Sequence, residues 1–183
     1  MQVYILCGGK SSRMQSEKGL VLYQNKTFID HVIDAVLPIS KNIQLVTNSK
    51  DYDHLKYTKV KDLVEDKGPL GGIYSALVDS KTEINLILSC DIPLISTPII
   101  QKLIDNHASN FDVSVFGNSE RMHPLIGLYS KNSIPSLEKA IELNTLKMID
   151  FVLNSKHQLV SIEEEEKKFF KNINSQADLL ELI

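Results

Sequence analysis

Near the N-terminus a glycine pair, Gly8-Gly9, is followed closely by three cations, Lys10, Arg13 and Lys18. Glycine lets backbone amides approach a phosphate closely, and nearby cations neutralise its charge. The pair follows Val3 to Leu6, an apolar run that reads as a buried strand, so the loop stands at that strand's carboxyl end. Lysines on a loop ordinarily serve solubility. Three cations around a double glycine directly after a strand instead point to a phosphate site. Two familiar phosphate loops fail on spacing. Walker A needs a glycine five residues before the Gly9-Lys10 pair, where this chain has Tyr4. The dinucleotide fingerprint fails because Gly8 and Gly9 are adjacent and no third glycine follows at its spacing.

A second feature is Asp91, which follows the apolar run Ile84 to Ser89 and precedes Ile92-Pro93. A carboxylate where a buried strand ends points into the ligand crevice. Mg2+ is a hard cation that takes one or two protein carboxylates plus substrate phosphate oxygens, and Asp91 suits it. The competing reading is a turn cap before Pro93. A third feature, Asp62 to Gly72, carries Gly68, Gly71 and Gly72 around the first turn of a helix. Small residues there let a flat ligand lie against the backbone, and Asp62 is placed to accept from a base or ribose. A turn whose proline opens a helix accounts for the same residues, and both readings stand.

The elements that must position these residues alternate. Strands are expected at Val3 to Leu6, Ile43 to Thr47, Val60 to Val64, Ile84 to Ser89, Phe111 to Phe116, Leu125 to Tyr129 and Gln158 to Ile162. Helical stripes run from Phe28 to Leu37, ended by Pro38, and from Leu70 to Val78. Thr97-Pro98 reads as an N-cap and first turn, and two short helical patterns precede the last strand. Ser175 with Asp178 reads as a capping box for a final helix. Strands alternating with helices imply an α/β fold with a mainly parallel sheet, whose ligands bind outside the carboxyl ends of the strands.

The 183 residues fit one domain, 1–183, with no internal repeat or linker. The net charge of -3 gives no global field for nucleic acid. Cys7 and Cys90 sit beside apolar runs and read as buried thiols of a reducing compartment. No stretch reads as a signal peptide or a membrane span, so the expected location is cytoplasmic. Glu163 to Glu166, followed by Lys167 and Lys168, reads as a solvated connection. No heptad stripe or large exposed apolar segment calls for self-association, and a monomer is expected.

Taken in order, the motifs resemble the molybdenum cofactor guanylyltransferase family, within the wider Rossmann-like nucleotidyltransferases. That family opens with a strand, Leu-Ala-Gly-Gly-x-x-x-Arg-Met and a lysine; here stand Leu6-Cys7-Gly8-Gly9, Arg13-Met14 and Lys18. Its Gly-Pro-Leu-Ala-Gly appears as Gly68 to Gly72, and its Cys-Asp-x-Pro as Cys90 to Pro93. His123-Pro124 and Asn172-Ile173-Asn174 follow in the family's order. The departures are Cys7 and Gly71 for alanine and Gln15 for glycine.

The resemblance implies a three-layer α/β/α Rossmann-like nucleotidyltransferase fold and transfer of GMP from GTP to the terminal phosphate of molybdopterin. It implies that Leu6, Cys7, Gly8, Gly9, Lys18, Asn48, Asp62 and Asp91 bind GTP and that Asp91 holds Mg2+. Arg13 and Lys18, with Asp91, would serve catalysis, while His123, Asn172 and Asn174 would lie on the pterin side. It also implies transient contact with molybdoenzymes or other cofactor-synthesis proteins. Two alternatives remain: cytidylyl transfer to the same pterin or to a sugar or alditol phosphate, and a non-catalytic nucleotide-binding partner of molybdoenzymes.

Overall fold

The structure, a computed structural model, describes residues 1–8, 17–118, 120–173 and 176–180. Its strands are β1 (Gln2–Leu6), β2 (Leu22–Tyr23), β3 (Lys26–Thr27), β4 (Ile43–Val46), β5 (Thr58–Val60), β6 (Ile84–Ser89), β7 (Val113–Gly117), β8 (Met122–Ser130) and β9 (His157–Val160). The helices are α1 (Phe28–Val36), α2 (Gly68–Asp79), α3 (Thr97–Asn106), α4 (Ile134–Glu142), α5 (Met148–Leu153) and α6 (Gln176–Leu180). Among the described residues the main sheet has seven strands in the order β5-β4-β1-β6-β8-β7-β9. Only β8 runs against its neighbours, so the mainly parallel expectation holds.

Period-two alternation builds two cores on one sheet. In β1, Val3 and Ile5 face one way and Tyr4 and Leu6 the other; in β6, Leu86 and Leu88 oppose Ile87. The first face is covered by α1 and α3 through Ile29, Val32, Ile99, Ile100 and Leu103. The second is covered by α2, α4 and α5 through Leu70, Ile73, Leu137, Ile141 and Phe151. This is the expected three-layer α/β/α arrangement. Strands covered on both sides become almost wholly apolar, as Ile84 to Leu88 shows, with Leu86, Ile87 and Leu88 all fully buried.

Chain direction then locates the crevice. After β1 the chain moves outward through α1 to β4 and β5, and α2 carries it back along the opposite face to β6. The order therefore reverses between β1 and β6, and loops leaving these strands part to opposite faces. Leu6 pairs in register with Ser89, so Gly8 and Asp91 leave the sheet at the same height.

Several boundaries differ from expectation for identifiable reasons. The expected strand at Val60 to Val64 lies instead at Thr58–Val60. Beyond it the backbone leaves the ladder: Asn48 Oδ1 accepts the Asp62 N–H and Ser75 Oγ accepts that of Leu63. Thr97 does not cap α3; Ser96 holds the cap position, and the Thr97 hydroxyl donates to the Ala35 carbonyl, tying α3 to α1. The acidic run is not purely a solvated connection. It enters a 3-10 helix, Glu164–Phe170, and Glu166 takes Lys102 of α3 at 2.7 Å. The β2–β3 hairpin was hidden in the sequence because its turn uses Gln24 and Asn25, both at positive φ, rather than a glycine. Ser175, expected in a capping box, lies outside the described residues. Among the described residues no helix is long and apolar enough to cross a membrane.

Candidate active site

The crevice between β1 and β6 opens into a cleft of about 550 Å³. Its floor and walls include Leu6, Gly8, Lys18, Val46, Asp62 and Asp91, with Asp66, Lys67, Gly68 and Gly72 from the start of α2. The first, second and third sequence features thus converge on one cavity. Gly8 has nothing within 4 Å of where a Cβ would stand, so its bare backbone faces open cleft. The Cys7 N–H is spent on the Val46 carbonyl, and the Leu6 carbonyl accepts from the Cys90 N–H. Cys7 is itself buried, its thiol directed at the Ile5 carbonyl, and it does not line the cleft. Of Leu6, Cys7 and Gly8, then, Leu6 contributes to the cleft wall and Gly8 an approachable backbone.

Asp91 is held at the centre by several bonds. Its Oδ1 accepts from the Ser89 hydroxyl at 2.6 Å, its Oδ2 lies 3.4 Å from Lys18 Nζ, and its carbonyl accepts the Ile173 N–H at 2.9 Å. The carboxylate is buried and held by two side chains, and the backbone beneath it by the third bond. Lys18 opens a short 3-10 turn, Lys18–Leu20. The next residue must be glycine for space: a Cβ on Gly19 would meet the Tyr52 hydroxyl at 2.7 Å and Cys90 Cβ at 3.3 Å. That close approach seats Lys18 against the end of β6.

Asp62 is the other carboxylate of the cleft. One of its oxygens is buried without a hydrogen-bond partner among the described residues, and burial raises its pKa from its ordinary value. An orphaned buried acceptor is costly, and such a group in a cleft wall marks a place where a ligand donor completes the bonding. Asn48 does not line the cleft; it sits behind Asp62 and holds the Asp62 backbone. Gly71 also has a role other than the expected one. A Cβ there would stand 2.9 Å from Lys67 Cβ and 3.3 Å from the Val64 carbonyl, so it lets the 64–67 loop pack on α2. Gly72 faces Leu6 and Asp62 at ordinary contact distances and leaves the cleft wall flat.

A second cavity, about 420 Å³, adjoins the first and shares Ser89 and Leu125 with it. Its lining brings together His123 and Asn172, both expected on one side from sequence, with Ile92, Met122, Lys147 and Met148. Pro124 explains how β8 reaches it. The β7–β8 register breaks between Val115 and Phe116: Val115 faces Gly127, whereas Phe116 faces His123. Proline cannot donate to a ladder and is tolerated at such an irregularity. The Tyr129 hydroxyl anchors the bulge by donating to the Pro124 carbonyl at 2.7 Å. His123 packs on the Phe170 ring at 4.9 Å, and burial, aided by Arg121, lowers its pKa to about 4. It is a neutral wall residue at ordinary pH.

Arg13, Gly9 and Asn174 lie outside the described residues. Sequence reasoning missed Ser89, Leu125 and Lys147. Ser89 had a signal, being a hydroxyl that ends an apolar strand two residues before Asp91; Leu125 and Lys147 had none.

The donor set fits a Mg2+ shared with substrate. Among the described residues no cluster of three or more His, Cys, Asp or Glu could hold a metal ion. Asp91 offers a hard carboxylate at the cleft centre, and the remaining ligands would come from phosphate oxygens and water, as Mg2+ sites commonly have them.

The chain resembles known proteins along its whole length. The family model for a MobA-like NTP transferase domain matches residues 3–158. A Flavobacterium johnsoniae protein named "Probable molybdenum cofactor guanylyltransferase" is 56% identical over 182 residues, covering 100% of this chain and 96% of its own. A Carboxydothermus hydrogenoformans protein of the same name is 34% identical, covering 100% and 95%. Among solved structures, molybdopterin-guanine dinucleotide biosynthesis protein A of Archaeoglobus fulgidus superposes with a TM-score of 0.84 at 21% identity, over 99% of this chain and 96% of that one. At that identity the likeness concerns the fold.

Proposed function

We propose, because the chain belongs to the MobA-like NTP transferase family, that it transfers GMP from GTP to the terminal phosphate of molybdopterin. The products are pyrophosphate and molybdopterin guanine dinucleotide. The same reading treats residues 1–183 as one nucleotidyltransferase domain acting in the cytoplasm. One observation carries it: two cavities of about 550 and 420 Å³ meet at Ser89 and Leu125, beside Asp91. A reaction that joins two bulky substrates through one phosphorus needs such a junction. The charged, glycine-lined cavity suits the nucleotide; the more apolar one suits the pterin.

In this reading the guanosine half lies against Leu6, Val46 and Gly72, and the orphaned Asp62 oxygen accepts from a nucleoside N–H or O–H. Lys18 exchanges its Asp91 partner for triphosphate oxygens, and Arg13 adds a second cation from the glycine loop. The acceptor phosphate oxygen forms a bond to the α-phosphorus while the bond to the β-phosphate oxygen breaks. A phosphate monoester has a second pKa near ~6, so the nucleophile is largely a dianion and needs no general base. This accords with a neutral His123 outside the nucleotide cavity. The difficulty is bringing anion to anion. Lys18 and Arg13 lower that repulsion, and Asp91, oriented by Ser89, would hold Mg2+ on the phosphates. Bound there, the ion would stabilise charge on the transferring phosphoryl group. Rigid placement of both substrates supplies the remaining acceleration.

Nucleotide binding by calorimetry, with Mg2+ and each of GTP, CTP, ATP and UTP, tests the base. Preference for GTP supports the reading, and preference for CTP moves the function to cytidylyl transfer.

A further inference from the structure

We infer that Lys147 binds the terminal phosphate of the acceptor and so anchors the second substrate; this rests on the acceptor reading given above. Lys147 stands at the start of α5 and lines the smaller cavity. Among the described residues it is the only lysine or arginine lining that cavity, and no carboxylate lines it. The other basic side chain there, His123, is held neutral by its surroundings and offers no charge to an anion. The Lys147 ammonium makes no hydrogen bond or ion pair with any described residue, which leaves it available to an anion. Lys18 lines the nucleotide cavity and not this one. Among the described residues the nucleotide cavity carries Lys18 and Lys67 and the smaller one Lys147, so each phosphate-bearing substrate has a cation in its own cavity.

The rest of the smaller cavity explains why one cation has such weight. Ile92, Met122, Ile126 and Met148 give it an apolar, adaptable lining, which suits a flat heterocycle with soft sulfur substituents. Such a surface binds the body of the acceptor without fixing its charged end. A point charge at the rim orients that end toward the junction at Ser89. The position is exposed and caps α5 through its backbone carbonyl alone, which accepts from the Phe151 N–H. Substitution of the side chain leaves the fold intact.

The test is steady-state guanylyl transfer with GTP, Mg2+ and molybdopterin, together with calorimetric binding of molybdopterin in the absence of GTP. For Lys147→Ala, the KM for molybdopterin rises about tenfold or more, and its Kd weakens in parallel, as expected for loss of a charge-assisted bond. The kcat and the Kd for GTP stay within about twofold of wild type, the pattern of lost ground-state binding. Lys147→Arg keeps most of the affinity. An unchanged molybdopterin KM in Lys147→Ala overturns the inference, and so does a GTP Kd that weakens as much as the molybdopterin KM rises. A wild-type protein that forms no guanylylated pterin overturns the underlying function instead, which separates the two failures.

Discussion

The two cavities share a wall at Ser89 and Leu125 and differ in almost everything else. Among the described residues the larger carries Lys18, Asp62, Asp66, Lys67 and Asp91, and the smaller Lys147 as its one charged group at neutral pH. The larger is built at the topological switch point, from loops that leave β1, β5 and β6 together. The smaller is gathered from β8, the start of α5 and the segment around Asn172. The difference teaches how the labour divides. Charged side chains and an approachable backbone serve a triphosphate, whose charge dominates its binding. A pterin is a flat heterocycle whose faces pack on apolar side chains, and a lining of methionine, isoleucine and leucine with one cation serves it.

The comparison can be broken first at the junction. Asp91→Ala removes the carboxylate of the larger cavity next to that junction, and we expect turnover to fall by about a hundred- to a thousandfold or more, with the far-ultraviolet circular dichroism of the fold retained. Near-normal turnover would remove the metal assignment. Next, Lys18→Ala should act on the larger cavity alone. It should weaken GTP roughly ten- to a hundredfold by calorimetry while leaving molybdopterin binding unchanged.

Asp62→Asn sharpens the contrast by separating stability from binding. Burial holds the Asp62 pKa above its unfolded value, so folding favours the protonated acid. That preference is fully present below the unfolded pKa and lost as pH rises through the folded one, leaving the ionised carboxylate destabilising at neutral pH. The variant should therefore unfold at a slightly higher temperature at pH 7 and bind GTP more weakly. A lower melting temperature would mean that the carboxylate is satisfied within the protein.

The smallest expected effect lies on the acceptor side. His123 has a folded pKa of about 4, below its ordinary value near 6.5, so the unfolded chain binds more protons between those limits. Stability is present above about pH 6.5 and declines as pH falls toward 4. His123→Gln should flatten that decline in chemical denaturation across this window, and an unchanged slope would show that the ring is not desolvated.

The same contrast decides what the sequence reveals. Gly8, Lys18, Asp62 and Asp91 sit in contiguous motifs, because each loop leaves a strand whose apolar run can be read and the switch point brings loop ends together. The acceptor wall has no such signature. Lys147 and Met148 occupy an ordinary helix start, and Leu125 reaches the cavity only because the β8 register slips around Pro124. The layers were legible for a similar reason. Alternating burial in β1 and β6 follows from period two and from coverage on both faces, which apolar composition records directly. Boundaries set by side-chain hydrogen bonds to the backbone were not. Asn48 and Ser75 draw residues 62 and 63 out of the ladder, and nothing in the local apolar pattern announces it.

The most direct measurement is a reaction under anaerobic conditions of this protein with GTP, Mg2+ and molybdopterin, read by mass spectrometry of the released pterin. The account predicts a guanine dinucleotide with pyrophosphate formed in equal amount, and little product when CTP replaces GTP. A cytosine dinucleotide in place of the guanine one, or no dinucleotide with either nucleotide, would contradict it.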